Sequence, residues 1–233
     1  LNRAAGLVQS EYIARMDADD LSLSDRLSLQ YNFMQKNPNI SLLGMQAIEV
    51  DSNGFVIGKT KKPLTNIEIT KYALYACPLI HPTWFIRTEV FQKVGGYLNI
   101  TPAQDYHFIS KIIQKGYEIA NLEVAGLQYH IDSQSLSRKN ILTTVAVSNL
   151  IRKRIANRYN NDATIINKIN RGKRSKYFEM LYRTRALGLK SYKSHNFAIK
   201  YFSLVLIFLP SFFHGELFHD TYALANIQRL RWR

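Results

Sequence analysis

Short strand-like and helix-like runs alternate through residues 11–122, and this alternation constrains the fold more than any other feature of the chain. Glu11–Met16 reads as a strand running into an acidic loop. Ser24–Lys36 carries Leu27, Tyr31 and Met34 at helical spacing, with Ser24 placed to cap it and Pro38 just beyond. Leu42–Val50 and Phe55–Ile57 flank Asp51-Ser-Asn-Gly54, a hairpin signal. Asn66–Tyr75 reads as a helix, Thr83–Arg87 as a strand, and Thr88–Val94 as a helical turn stopped by Gly95-Gly96. Pro102–Lys115 is a helix closed by Gly116, followed by a strand over Tyr117–Leu122. Strands alternating with helices predict an α/β layer structure.

The pattern changes after about Ser137. Asn140–Tyr159, Ala163–Asn170, Lys173–Leu187 and Ser194–Leu209 all read as helices. Charge divides at the same place. Residues 1–135 have a net charge of −1 and residues 136–233 a net charge of +15. The expected organisation is therefore an α/β domain over 1–137 and a basic helical region over 138–233. Cys77 is the only cysteine of the 233 residues. That excludes an intramolecular disulfide framework and any zinc site needing two cysteines from this chain. A reducing, cytosolic compartment fits.

Met16-Asp17-Ala18-Asp19-Asp20 packs three carboxylates into four residues at the end of a strand-like run. In an extended segment Asp17 and Asp19 point the same way. Such a pair grips a hard divalent cation, Mg²⁺ or Mn²⁺, through oxygen. The competing reading is a solvated acidic loop with Asp20 capping the next helix. Gln104-Asp105-Tyr106-His107 sits near a helix start, where a carboxylate either complements the helix dipole or serves as a general base. In Tyr129-His130-Ile131-Asp132, His130 is a ligand, a switch or the polar tip of a strand end. His81, before Pro82, reads as structural or pocket-lining, and Cys77 as buried. No phosphate-binding glycine loop, HExxH or GxSxG is present.

Four pieces together resemble the family 2 glycosyltransferases of the GT-A fold. They are Leu1-Asn-Arg-Ala running to Met16-Asp-Ala-Asp-Asp20, His81-Pro-Thr running to Val94-Gly-Gly-Tyr97, Gln104-Asp105-Tyr106, and Tyr129–Ser137. The resemblance implies a partial GT-A, Rossmann-like mixed sheet, with the family's first half, its nucleotide-binding part, lacking. It implies sugar transfer from a nucleotide-sugar donor, a UDP-sugar being expected, to a glycan or lipid-linked acceptor hydroxyl, with inversion. Asp17 and Asp19 would hold Mg²⁺ or Mn²⁺ on the donor diphosphate, and His130 would make a further contact to metal or diphosphate. Asp105 would take the acceptor proton. Asp20 would cap the following helix or assist the metal. Trp84 would line the acceptor pocket or serve equally as a core aromatic, His81 would be structural or line the substrate pocket, and Gln104 stands beside the base in place of the family's usual Glu.

The basic region, with Arg152-Lys-Arg154, Arg171-Gly-Lys-Arg174 and Arg229-Leu-Arg-Trp-Arg233, suits an anionic membrane surface. The apolar run Tyr201–Phe213 is either a buried core helix or an interfacial segment. Peripheral attachment at the cytoplasmic face of the membrane is the expectation. Two alternatives are an inactive remnant serving as an interaction module and a basic nucleic-acid-binding protein. Nucleic acid is not the expected partner, since no helix-turn-helix, zinc-finger or RNP signature occurs and the acidic cluster would repel phosphates.

Overall fold

The computed structural model describes residues 1–100, 103–131, 141–156, 162, 163 and 166. The expected helices Lys173–Leu187 and Ser194–Leu209, most of Ala163–Asn170, the run Tyr201–Phe213 and residues 132–137 lie outside the described residues.

A six-stranded mixed sheet is the centre of the fold. Its elements in chain order are α1 (Asn2–Ala5), β1 (Tyr12–Ala14), β2 (Leu21–Ser22), α2 (Arg26–Lys36), β3 (Ile40–Val50), β4 (Val56–Lys59), α3 (Asn66–Ala73), β5 (Phe85–Arg87), α4 (Thr88–Val94), α5 (Gln104–Gln114), β6 (Glu118–His130) and α6 (Ile141–Ile155). Strands order as β1-β5-β3-β6-β2, with β4 paired to β3. Only the central pair, β3 with β6, is parallel. This is an α/β fold, as the alternation predicts.

Burial explains the centre. From Ile40 to Ala47 every residue of β3 is buried, the uninterrupted pattern of a strand covered on both faces. One face meets a cluster formed by Leu42, Ile69, Leu79, Trp84, Ile86, Phe108, Ile109, Ile112 and Ile119. A separate cluster contains Met34, Leu43, Phe85 and Ala120. Helix α6 joins the core through Val147, Leu150 and Ile151, which pack with Ala73 and Tyr106.

Several boundaries differ from the expectations, each for a physical reason. Ser24 does not cap α2; Asp25 is the N-cap, without a side-chain capping bond. Thr65 closes a full capping box with Glu68, so α3 starts sharply. Gly95 takes φ 80° and ends α4 as expected. The largest difference is β6. It continues to His130 rather than stopping near Leu122, because its register against β3 shifts on either side of Gln46 and pairing then resumes. Gly126 lies in this stretch, and a Cβ there would fall 2.9 Å from Met45 Cε and 3.1 Å from Arg26 Cγ. The shift swings the last part of β6 onto β2, pairing Leu21 with Gln128 and Ser22 with Leu127.

Candidate active site

The acidic segment leaves β1 and folds into a turn, with the Asp20 N–H donating to the Asp17 carbonyl at 3.4 Å. It is therefore not the extended run in which Asp17 and Asp19 would align by alternation. The turn gathers all three carboxylates instead. One oxygen each from Asp17, Asp19 and Asp20 lies within 4.8 Å of the others.

Two arginines stand against this charge. Arg26 is almost fully buried on α2. It donates to the Arg15 carbonyl at 2.7 Å and to Gln30 Oε1 at 3.2 Å, and Gln30 donates on to the Thr83 carbonyl at 2.7 Å. Burial lowers the Arg26 pKa, Arg15 adds to this, and Asp20 opposes it. Arg26 thus pins the strand end that precedes the turn. Arg15, its side chain largely covered, forks onto Asp17, with NH1 donating to Oδ2 at 2.6 Å and NH2 to Oδ1.

Asp20 does not cap α2. It is buried and reaches the end of β6, where its Oδ1 accepts from the His130 N–H at 3.1 Å. Burial raises its pKa, the His130 hydrogen bond opposes this, and Asp19 and Asp17 raise it further. Its Oδ2 and the His130 Nδ1 are both buried without a hydrogen-bond partner among the described residues. Buried polar atoms ordinarily find partners. Three clustered carboxylates with a spare buried oxygen fit an oxygen-seeking divalent cation.

A fourth carboxylate stands at the start of α5. Asp105 lies in its first turn and is half-buried. The turn is entered through Ala103 at φ 68°, the one non-glycine residue with positive φ among those described. Such strained positions concentrate at functional sites. Helix α5 is held from behind by the Tyr106 hydroxyl on the Ala73 carbonyl and by Lys111 Nζ on the Gly96 carbonyl at 2.9 Å. The Cys77 thiol donates to Asp105 Oδ2 at 3.7 Å. Burial, then Asp105, pushes that thiol's pKa well up, so it stays protonated as a donor.

His81, Trp84 and Tyr97 pack into one aromatic group. His81 Nε2 and the Tyr97 hydroxyl are 2.9 Å apart, and the His81 ring packs edge-on to Trp84 at 4.5 Å. Burial lowers the His81 pKa to about 4, with Asp105 and Asp17 opposing and Arg15 reinforcing the shift. The imidazole is therefore neutral at pH 7. Burial, then Asp20, Asp17, Asp105 and Asp19, raises the pKa of Tyr129.

The sequence-predicted residues divide accordingly. Asp17, Asp19 and Asp20 form one group, His130 meets it through its backbone N–H on Asp20, and Asp105 and His81 stand on separate elements. Trp84 is 1% exposed and belongs to the core, though it also edges a cavity of about 250 Å³ with Ile13, Arg15, Phe91 and Tyr97. Gln104 opens α5, half-buried. Arg15 and Arg26 were not expected from the sequence. The one available signal was two basic side chains bracketing an acidic run.

The sequence model for Glycosyl transferase family 2 matches residues 1–95, so the segment from Leu1 falls inside the matched span. Over 134 residues the chain is 29% identical to an uncharacterized glycosyltransferase of Methanocaldococcus jannaschii, covering 57% of this chain and 46% of that protein. Over 140 residues it is 31% identical to the O-antigen biosynthesis glycosyltransferase WbnJ of Escherichia coli, covering 59% and 54%. The solved mannosyltransferase PcManGT from Pyrobaculum calidifontis, in complex with GDP-Man and Mn²⁺, is 14% identical over 95% of this chain and 64% of that chain, at a TM-score of 0.48. The chain spans about half the length of the curated relatives it matches.

Proposed function

We propose, from the match of residues 1–95 to the Glycosyl transferase family 2 model, that this chain carries the catalytic side of a metal-dependent, inverting transferase. It moves a sugar from a nucleoside diphosphate donor, expected to be a UDP-sugar, to a hydroxyl of a glycan or lipid-linked acceptor. The O-antigen role named for one relative supports a surface polysaccharide as product. The single observation that carries the reading is the turn that gathers Asp17, Asp19 and Asp20 within 4.8 Å of one another, with Asp105 on a separate helix. One carboxylate stands apart from a cluster of three, the division of labour that such a transfer needs.

Asp17, Asp19, Asp20 and His130 would hold Mg²⁺ or Mn²⁺, which supplies charge neutralisation for a departing diphosphate. Asp105 accepts the proton of the attacking hydroxyl. Cys77 and the strained entry to α5 hold that carboxylate in place. A single displacement from the face opposite the diphosphate inverts the anomeric carbon. Neutral His81, bonded to Tyr97, offers no competing charge near the base.

Donor turnover tests this. The chain is incubated with UDP- and GDP-sugars and a polyprenyl-phosphate-linked sugar acceptor, and nucleoside diphosphate release is followed. Release should require Mn²⁺ or Mg²⁺, stop with EDTA and return on metal addition. Release indifferent to chelation sinks the metal assignment, and no release from any donor sinks transfer by this chain.

No helix among the described residues is long and apolar enough to cross a membrane. We attribute the +15 of residues 136–233 to peripheral attachment at an anionic cytoplasmic membrane face, each basic residue near the surface contributing about 1 kcal/mol. The chain should float with anionic liposomes at low salt and be released at about 1 M salt. A chain that stays at the bottom at low salt removes the attachment.

A further inference from the structure

We propose that Arg15 is an exchangeable counterion of the acidic turn, so that cation binding and diphosphate binding are coupled through it. The inference rests on the metal reading above and adds a residue to which that reading gives no role.

Arg15 takes both oxygens of Asp17 in a bidentate fork. Those are the oxygens Asp17 would offer a divalent cation. A cation entering alone must therefore draw Asp17 away from a guanidinium that already satisfies it. The Arg15 side chain is 13% exposed, against 39% for Asp17. Its Nε is buried with no hydrogen-bond partner among the described residues. Once released from Asp17, this cation would need another anion, because a half-buried unpaired charge is costly.

A diphosphate brought in with the cation meets that need. Guanidinium forks match phosphate oxygens as well as carboxylates, and such charge-assisted pairs are strong. Arg15 also lines the cavity of about 250 Å³ that Trp84 and Tyr97 edge, so there is open space beside it. The expected behaviour is weak binding of the cation alone and tight binding of cation with diphosphate. Arg26 does not share this role. Its guanidinium is held by Gln30 and by the Arg15 carbonyl, and it stays beneath the turn.

Calorimetric titration of the full chain with Mn²⁺ alone, and with UDP at saturating Mn²⁺, tests the coupling. In Arg15→Gln, Mn²⁺ alone should bind about tenfold tighter, while UDP with Mn²⁺ should bind about tenfold weaker, each near the effect of one charge-assisted pair. Arg15→Lys separates the fork from its charge. If occupation of both Asp17 oxygens is what matters, it should also tighten Mn²⁺ binding; if only the positive charge matters, it should match the unsubstituted chain and the proposal falls. Thermal unfolding of both variants confirms that they fold. Unchanged Mn²⁺ affinity in Arg15→Gln, with Asp17→Asn abolishing Mn²⁺ binding, overturns the exchange and leaves the metal site standing. Mn²⁺ binding indifferent to Asp17→Asn overturns both.

Discussion

The double substitution Asp17→Asn, Asp19→Asn is expected to lower donor turnover by about 10³-fold or more, with the fold unchanged. Metal stabilisation of a leaving diphosphate is worth several kcal/mol, and about 1.4 kcal/mol corresponds to a factor of ten in rate. Neither residue belongs to the core: Asp19 is exposed, and the Asp17 side chain is 39% exposed. Asn keeps the size of Asp and removes two of three mutually repelling charges. Unfolding temperature should stay close to that of the unsubstituted chain, because relief of carboxylate repulsion offsets the loss of a partner for Arg15, whose side chain is 13% exposed. Asp20 is the poorer target, because it is buried and bonds the end of β6, so its loss would mix structure with chemistry. The experiment measures nucleoside diphosphate release, Mn²⁺ affinity and melting temperature on one preparation. Full turnover in the double variant would remove the cluster from the mechanism. The same variant separates transfer from nucleic-acid binding, because removing acidic charge leaves electrostatic binding to nucleic acid unchanged or stronger.

Much of the frame was legible because local rules and tertiary packing agree there. The hairpin at Asp51–Gly54, the glycine stop after α4 and the helix closed by Gly116 follow from residue types whose preferences the fold does not override. Helix α6, expected over Asn140–Tyr159, is observed over Ile141–Ile155. The site was legible in its carboxylates and not in their arrangement. The Met16–Asp20 segment reads as the end of a strand, yet a turn brings Asp20 together with Asp17 and Asp19. The role of Asp20 depends on β6 reaching His130, which depends on a register shift beside Gln46 that leaves no periodic signature. Arg15 and Arg26 were invisible for a related reason. A basic residue near an acidic run reads equally as a solvated face, and only burial of Arg26 and the fork of Arg15 tell them apart. Trp84, which the sequence leaves open between a pocket and the core, is packed in the core.

Asp105→Asn should separate proton transfer from donor binding. Asparagine fills the same volume, and its carbonyl can still accept from the Cys77 thiol that now lies 3.7 Å from Asp105 Oδ2. Losing the charge in the first turn of α5 costs about 0.3–1 kcal/mol of dipole complementarity, too little to unfold a helix anchored through Tyr106, Phe108, Ile109 and Ile112. An amide cannot take the acceptor's proton. Transfer should fall by about 10²–10⁴-fold, the usual range for a lost general base. Donor affinity and Mn²⁺ affinity should stay near their original values, because the ligands for both lie on the acidic turn and at the end of β6. The variant therefore lowers kcat with KM for the donor unchanged, whereas substitution at Asp17 and Asp19 damages both. A variant that transfers at the original rate, or that loses donor affinity as much as rate, would move the base away from α5. The second outcome would recast Asp105 as part of the donor site, and the strained backbone at Ala103 would then serve binding rather than proton transfer.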